Sequence, residues 1–306
     1  NYLVLVPEQF TMQTQRELVR LQDAHAIMNV DVLSFARLAY RVFDELGRQN
    51  LKVLEETGKN LVLRKIAEEK RGQLPVLGGN LNKMGYISEV KSVLSELTQY
   101  NVSPEKLDAF LEMEAVGETL RLKMQDISVM YHGFSEYLEG KYITSEEVLS
   151  LLCEVAEDSA ILRNSQIVFD EFTGFTPIQN QLLLKLLSLS EKITVALTMD
   201  TKEDFYHCRG LQELFSMSKK AVETLMRMAG ELHMEVDEPV LLTDGKKLRY
   251  RNAPSLYFME QNLFRPYYKK WKEEQDEIEI TCLKNPREEL EYTAREITRL
   301  VREKHY

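Results

Sequence analysis

A chain of 306 residues, 44% hydrophobic and 29% charged, has room for about two domains with ordinary cores. Its 39 Lys+Arg against 49 Asp+Glu give a net charge of −10, which argues against a broad basic face for duplex DNA but not against a narrow single-strand channel, where base stacking carries much of the binding. No apolar run approaches the roughly 18 residues that cross a bilayer, no signal-peptide pattern opens the chain, and three isolated cysteines (Cys153, Cys208, Cys282) exclude a disulfide framework or CxxC metal site and fit a reducing cytoplasm.

The chain opens without Met and inside a strand, Tyr2 to Val6, which reads as the start of a fragment. Pro7 ends the strand, and Thr11 suits the cap of a helix running to about Leu21. Val30-Asp31-Val32-Leu33 is a second strand; Ser34 caps a helix with Phe35, Leu38, Val42 and Leu46 on one face, stopped by Gly47. Strand–helix–strand–helix points to a parallel sheet. From about Lys52 to Asp158 helix formers take over. Helices are expected at residues 55–70, 81–100, 104–113, 117–139 and 145–158, the last opened by a Thr144/Glu147 capping box. The sheet resumes at Gln166 to Asp170. Thr176 and Pro177 open a leucine-rich helix, Ile193 to Leu197 is a strand, and a helix spans about 212–232. A strand is expected near 236–242, a loop at 244–252, partial helix at 256–274 around Trp271, an alternating strand at 277–282, and a final helix from Pro286. The fold class is α/β, a parallel sheet interrupted by an all-helical insertion: core at 1–50 and 161–275, insertion at 51–160, and a new strand–helix unit at 276–306.

Ile167-Val168-Phe169-Asp170-Glu171-Phe172 organises this arrangement: three β-prone residues run into two adjacent carboxylates. At the C-terminal edge of a parallel sheet, where ligands bind, an Asp can hold Mg²⁺ and a neighbouring Glu can activate water. That makes a Walker B reading available, with Asp170 and Glu171 as catalytic residues and Asp170 as metal ligand. Two solvated acids after a buried strand are also common without any such role. His207 beside Cys208 lacks a second pair and reads as surface.

An insertion between the second and third sheet strands resembles superfamily-one helicases, and Asp170-Glu171-Phe172 with Gln179 on the next helix is similar to their DE-x-Q motif. One family fits more closely. Val6-Pro7-Glu8-Gln9-Phe10-Thr11, Val32-Leu33-Ser34-Phe35-Ala36-Arg37-Leu38-Ala39-Tyr40-Arg41-Val42 and Phe172-Thr173-Gly174-Phe175-Thr176-Pro177 resemble motifs of AddB, the second subunit of the bacterial AddAB helicase–nuclease; the closing helix with Glu288, Glu291, Ala294, Arg295 and Ile297 does so too. The resemblance implies a P-loop NTPase/helicase-like core whose second core domain begins at 276. It also implies a heterodimer with an AddA-type motor and nuclease subunit, single-stranded DNA as ligand, no membrane, and work in double-strand break repair and recombination in the cytoplasm. By motif position, Gln9, Thr11, Phe35, Arg37 and Tyr40 inherit contact with the strand in transit and recognition of Chi, the short regulatory sequence. Four of them have a plainer alternative: Thr11 as a cap, Phe35 and Tyr40 as core, Arg37 as a solvated charge.

Three departures bear on this reading. No GxxxxGK[ST] occurs in the chain, so the backbone cradle and Lys that hold ATP phosphates are absent from it; Mg²⁺ and ATP are expected only of a longer protein. The iron–sulfur cluster belongs to a nuclease domain that the family places further C-terminal. Residues 197–204 lack the Gln that senses γ-phosphate in motors, and Leu97-Thr98-Gln99-Tyr100 lacks an Arg that relatives can carry on the insertion. The expectation is a fragment inactive alone as ATPase or nuclease, with two rivals: an active translocase motor, or a docking scaffold for the motor subunit.

Overall fold

The computed structural model describes residues 1–48, 52–80, 83, 85–113, 117–242, 250–265, 267 and 269–305. They form two compact units, Asn1–Asp237 and Glu238–Tyr306.

The first unit is built on four parallel strands, β1 (Tyr2–Leu5), β2 (Val30–Leu33), β5 (Gln166–Phe169) and β6 (Lys192–Val195), in the order β2-β1-β5-β6. The register is even, with Leu5 opposite both Leu33 and Phe169, and Phe169 opposite Val195. Side chains alternate across a strand, so Leu3 and Leu5 of β1 and Ile167 and Phe169 of β5 share one buried face. They share a core with Leu38, Val42 and Phe43 of α2 (Phe35–Glu45), Val148, Leu152 and Val155 of α7 (Glu147–Val155), and Leu182, Leu183 and Leu186 of α9 (Pro177–Leu189). The opposite face, with Tyr2, Val4 and Val168, stays partly accessible. Ser34 and Thr176 cap α2 and α9 as their sequences predict; Thr176 and Gln179 form a complete capping box.

Between β2 and β5 the chain builds a second core from α3 (Glu56–Glu69), α4 (Tyr86–Gln99), α5 (Pro104–Leu111) and α6 (Glu118–Leu138). Gly133 of α6 lets α3 approach closely: a Cβ there would stand 2.7 Å from Ile66 Cγ2. Two short parallel strands that the sequence did not announce, β3 (Val53–Leu54) and β4 (Ile143–Thr144), pair at the ends of this segment. The expected reciprocal Thr144–Glu147 bonds form at the first residue of α7, whose N-cap is Glu146: Thr144 N donates to Glu147 Oε2 (2.7 Å) and Glu147 N to Thr144 Oγ1 (3.3 Å). Glu45 of α2 accepts from Ala160 N and Ile161 N at 2.9 and 3.0 Å, capping α8 (Ala160–Arg163) and tying the returning chain to the sheet unit.

Several expectations are corrected. Thr11 lies within α1 (Thr11–Leu21), whose N-cap is Phe10, and its hydroxyl donates to Glu8 O instead. The helix after β6 is α10 (Ser216–Glu231), shorter than expected because 211–215 makes turns that end in a charge clamp. There, buried Lys219 reaches Glu203 at 2.7 Å and Glu213 at 3.2 Å. No strand forms at 236–242 or 277–282. Val240, Leu242 and Ile280 are exposed. Alternation makes a segment strand-like, but a strand needs a neighbour for its N–H and C=O groups, and none is present among the described residues. The expected loop at 244–252 falls largely outside the described residues. In the second unit, α11 (Pro254–Asn262) and α12 (Pro286–Lys304) form, the latter capped by Asn285, which accepts from Glu288 N at 3.0 Å.

Candidate nucleic-acid interface at the sheet edge

Because β1, β2 and β5 end in register, the loops that follow them leave from one edge. Val6 N donates to Leu33 O at 3.0 Å, Asp170 N to Leu5 O at 3.0 Å, and Ala196 N to Phe169 O at 2.8 Å. Pro7 turns the chain into a 3-10 turn, Glu8–Phe10, that leaves Gln9 exposed. The Ser34 hydroxyl accepts from Arg37 N at 3.3 Å, which sets the start of α2 and carries Arg37 and Tyr40 outward. Arg37 Nε meets Glu8 Oε1 at 3.0 Å, joining the two loops. Both partners are more than half exposed, so the pair contributes little to stability and exchanges readily for another anion. Tyr40 is 42% exposed and sets its ring edge-on to Phe43, with centroids 6.3 Å apart.

The inherited residues therefore divide. Gln9, Arg37 and Tyr40 present polar or aromatic surface to solvent. Thr11 is buried and holds the turn through Glu8. Phe35 is buried in a cluster of rings, with centroids 5.9 Å from Phe169 and 5.4 Å from Phe172; Phe175 closes the cluster at 5.8 and 5.3 Å from those two rings. Phe172 and Phe175, which enter the sequence pattern only as motif letters, thus support the edge from beneath. Spacing offered no signal for this, since the rings come from three separate elements.

Asp170 and Glu171 stand at the same edge. Glu171 adopts φ 63°, a left-handed conformation that non-glycine residues rarely take, and its N–H donates to Asp170 Oδ1 at 2.9 Å. One Asp170 oxygen is thus engaged by the turn. Among the described residues no group of three or more His, Cys, Asp or Glu could hold a metal ion. A nucleotide-bound Mg²⁺ takes most of its ligands from phosphate and a P-loop Ser or Thr. No GxxxxGK[ST] occurs in this sequence. Gln179 spends its side-chain oxygen on Thr176 N at 2.9 Å.

A shallow cavity of about 270 Å³ is lined by Gln99, Ser145, Glu146, Leu149, Thr176, Ile178 and Gln179, so residues of the insertion and of the sheet-edge helix α9 meet there. Lys59 sits behind it, 2% exposed, and donates to Glu146 at 2.7 Å, Ser145 at 3.0 Å and Glu56 at 2.8 Å. Burial opposes ionisation of Glu146, but the Lys59 ammonium and further hydrogen bonds, including one from Ser95, outweigh it and hold the carboxyl below its ordinary value. Glu56 is lowered mainly by Lys59 and then by Lys91.

A family model described as ADDB, N-terminal, matches residues 1–260. This chain belongs to that family. Among similar proteins is the B subunit of the ATP-dependent helicase/deoxyribonuclease of Lachnoclostridium phytofermentans, 41% identical over 309 residues that cover 100% of this chain and 27% of that protein. Proteins of the same name from a Thermoanaerobacter species and from Clostridium tetani are 35% and 32% identical, covering 99% and 98% of this chain and 26% of each relative. The chain therefore spans about a quarter of the length of these relatives. No described helix is long and apolar enough to cross a membrane.

Proposed function

We propose that this chain is the single-strand-reading part of a DNA-processing subunit of the AddB type, acting with an AddA-type motor subunit in double-strand break repair and recognising Chi. The names of the relatives support the DNA-processing role and, in calling each protein one subunit of a larger enzyme, a partner. The observation that carries the reading is the edge itself. Two consecutive strand–loop–helix units, ending in register, expose Gln9, Arg37 and Tyr40 in sequence order, with Arg37 held only by an exposed ion pair. An amide, a guanidinium and an exposed ring are the groups that read base edges and stack on unpaired bases. Thr11 and Phe35 act as supports for that surface, and Asp170 and Glu171 shape its neighbouring turn. A helicase-like core is the fold that this order of strands and insertion supports best.

The test is the Chi response of the reconstituted complex, scored separately from unwinding. Arg37→Ala should remove a contact of about 1–3 kcal/mol if it reads a base, and Tyr40→Ala a stack of about 1–3 kcal/mol. Chi response left intact in both variants, with the protein folded, would show these residues to be structural. Loss of partner binding with DNA binding retained would favour a scaffold instead.

A further inference from the structure

The second unit carries a basic stretch that the sheet-edge reading does not use. Residues 261–272 hold Arg265, Lys269, Lys270 and Lys272 and no carboxylate, in a chain where 49 Asp+Glu outnumber 39 Lys+Arg. The three lysines are exposed, and among the described residues none has an ion-pair partner. Large rings stand among them: Phe264 is 75% exposed and Tyr267 86%. Phe264 also holds φ 60°. A bulky residue in left-handed backbone is strained, and a phenyl ring in water forgoes the gain of burial, so two unfavourable choices coincide at one residue. Trp271 anchors the far end, packing on Phe258 of α11 with centroids 5.3 Å apart and 60° between planes.

We propose that this stretch is a second contact for single-stranded nucleic acid, with Lys269, Lys270 and Lys272 on backbone phosphates and Phe264 and Tyr267 stacking on bases. The mixture argues for that ligand. Cations alone would serve an acidic peptide, and rings alone an apolar partner. Cations spaced among exposed rings match a chain that alternates charge with flat aromatic faces. A duplex keeps its base faces stacked inside, so it offers the rings nothing. The proposal stands on residues of the second unit alone and survives or fails independently of Arg37 and Tyr40.

The test uses the full-length polypeptide and a labelled oligothymidylate of about 20 nucleotides, enough for the site size of such surfaces, with anisotropy followed across a salt series. Lys269→Gln, Lys270→Gln and Lys272→Gln combined should weaken binding at low salt and reduce the slope of log affinity against log salt by about 2, three contacts at roughly 0.7 each. Phe264→Ala with Tyr267→Ala should weaken binding at least about thirtyfold and leave the slope unchanged. Lysine-to-arginine replacements should restore the slope. Unchanged affinity and slope in the glutamine variant, with wild-type circular dichroism, would overturn the proposal. So would equal losses for single strand and a duplex of the same length, or loss of a protein partner with oligothymidylate binding intact.

Discussion

The sheet and the helical insertion stabilise themselves by different chemistry. The core between the sheet and its helices is aliphatic and aromatic, from Leu3 and Leu5 to Phe169 and Leu186. The insertion also has an apolar core, but polar groups inside it set its geometry. Lys59 is buried against Glu146, the Asp126 carboxylate accepts from Val76 N at 2.9 Å and Leu77 N at 2.6 Å, and the Tyr131 hydroxyl donates to Val102 O at 2.9 Å while lying 3.0 Å from Thr98 Oγ1. Apolar packing tolerates rearrangement of similar volume, whereas a buried charge tolerates no loss of its partner. The insertion should therefore respond to single charge changes and to pH through its Lys59 cluster, as the Lys219 clamp beyond β6 should, and the apolar core beneath the sheet should respond to volume.

The largest effect is expected from Lys59→Ala. It leaves Glu146, 10% exposed, without its counter-ion, and removal of one member of a buried pair costs about 3–5 kcal/mol. Denaturant unfolding at neutral pH measures this, and Lys59→Met with Glu146→Leu should recover much of it. Phe169→Ala in the sheet should cost a similar amount, about 3–5 kcal/mol, through the cavity it opens in the ring cluster. Unlike Lys59→Ala, its cost should not depend on pH.

That contrast has a definite sign. Glu146 and Glu56 are held below the ordinary value of 4.5, so the unfolded chain takes up protons before the folded one does. Their stabilisation is complete above the unfolded range and is lost as pH falls through the lower folded values. Thermal melts from pH 7 downward should show the insertion losing stability below about pH 4.5, and Lys59→Met should flatten the part of that loss due to these groups. Asp108, lowered first by Ser128 and then by His132, contributes in the same direction at the α5–α6 contact.

Smaller effects belong to the edge. Arg37→Ala should change stability by less than about 0.5–1 kcal/mol, since exposed ion pairs contribute little. Glu8→Gln should leave stability similarly unaffected and tighten single-strand binding a few-fold, because it removes a carboxylate that competes for Arg37. Weaker binding in that variant would mean that Glu8 positions Arg37 for the ligand.

The same contrast explains what the sequence showed. Periodicity and caps placed β1, β2, β5 and β6 and the helices α1 to α7 and α9, because apolar alternation and Ser34 or Thr176 followed by a helix are local signals; the single turn of α8 was not foreseen. They could not show Lys59 meeting Glu146, 87 residues away, nor the β3–β4 pair, whose partners lie at opposite ends of the insertion. They over-read 236–242 and 277–282, where alternation is present but a neighbouring strand is not. At the site, the motif order singled out Gln9, Thr11, Phe35, Arg37 and Tyr40 together. Burial then separates enclosed Thr11 and Phe35, for which a cap and a core role were already open, from exposed Gln9, Arg37 and Tyr40.

The central claim is that the edge carrying Gln9, Arg37 and Tyr40 touches the unpaired strand. Photo-crosslinking in the complete complex, with a single strand carrying 4-thiothymidine, tests it most directly. Adducts are expected in the loop after β1 and the first turns of α2, reduced by Tyr40→Ala and retained in Lys59→Met with Glu146→Leu. Adducts confined to other surfaces of the protein, with those two segments unmodified, would contradict it.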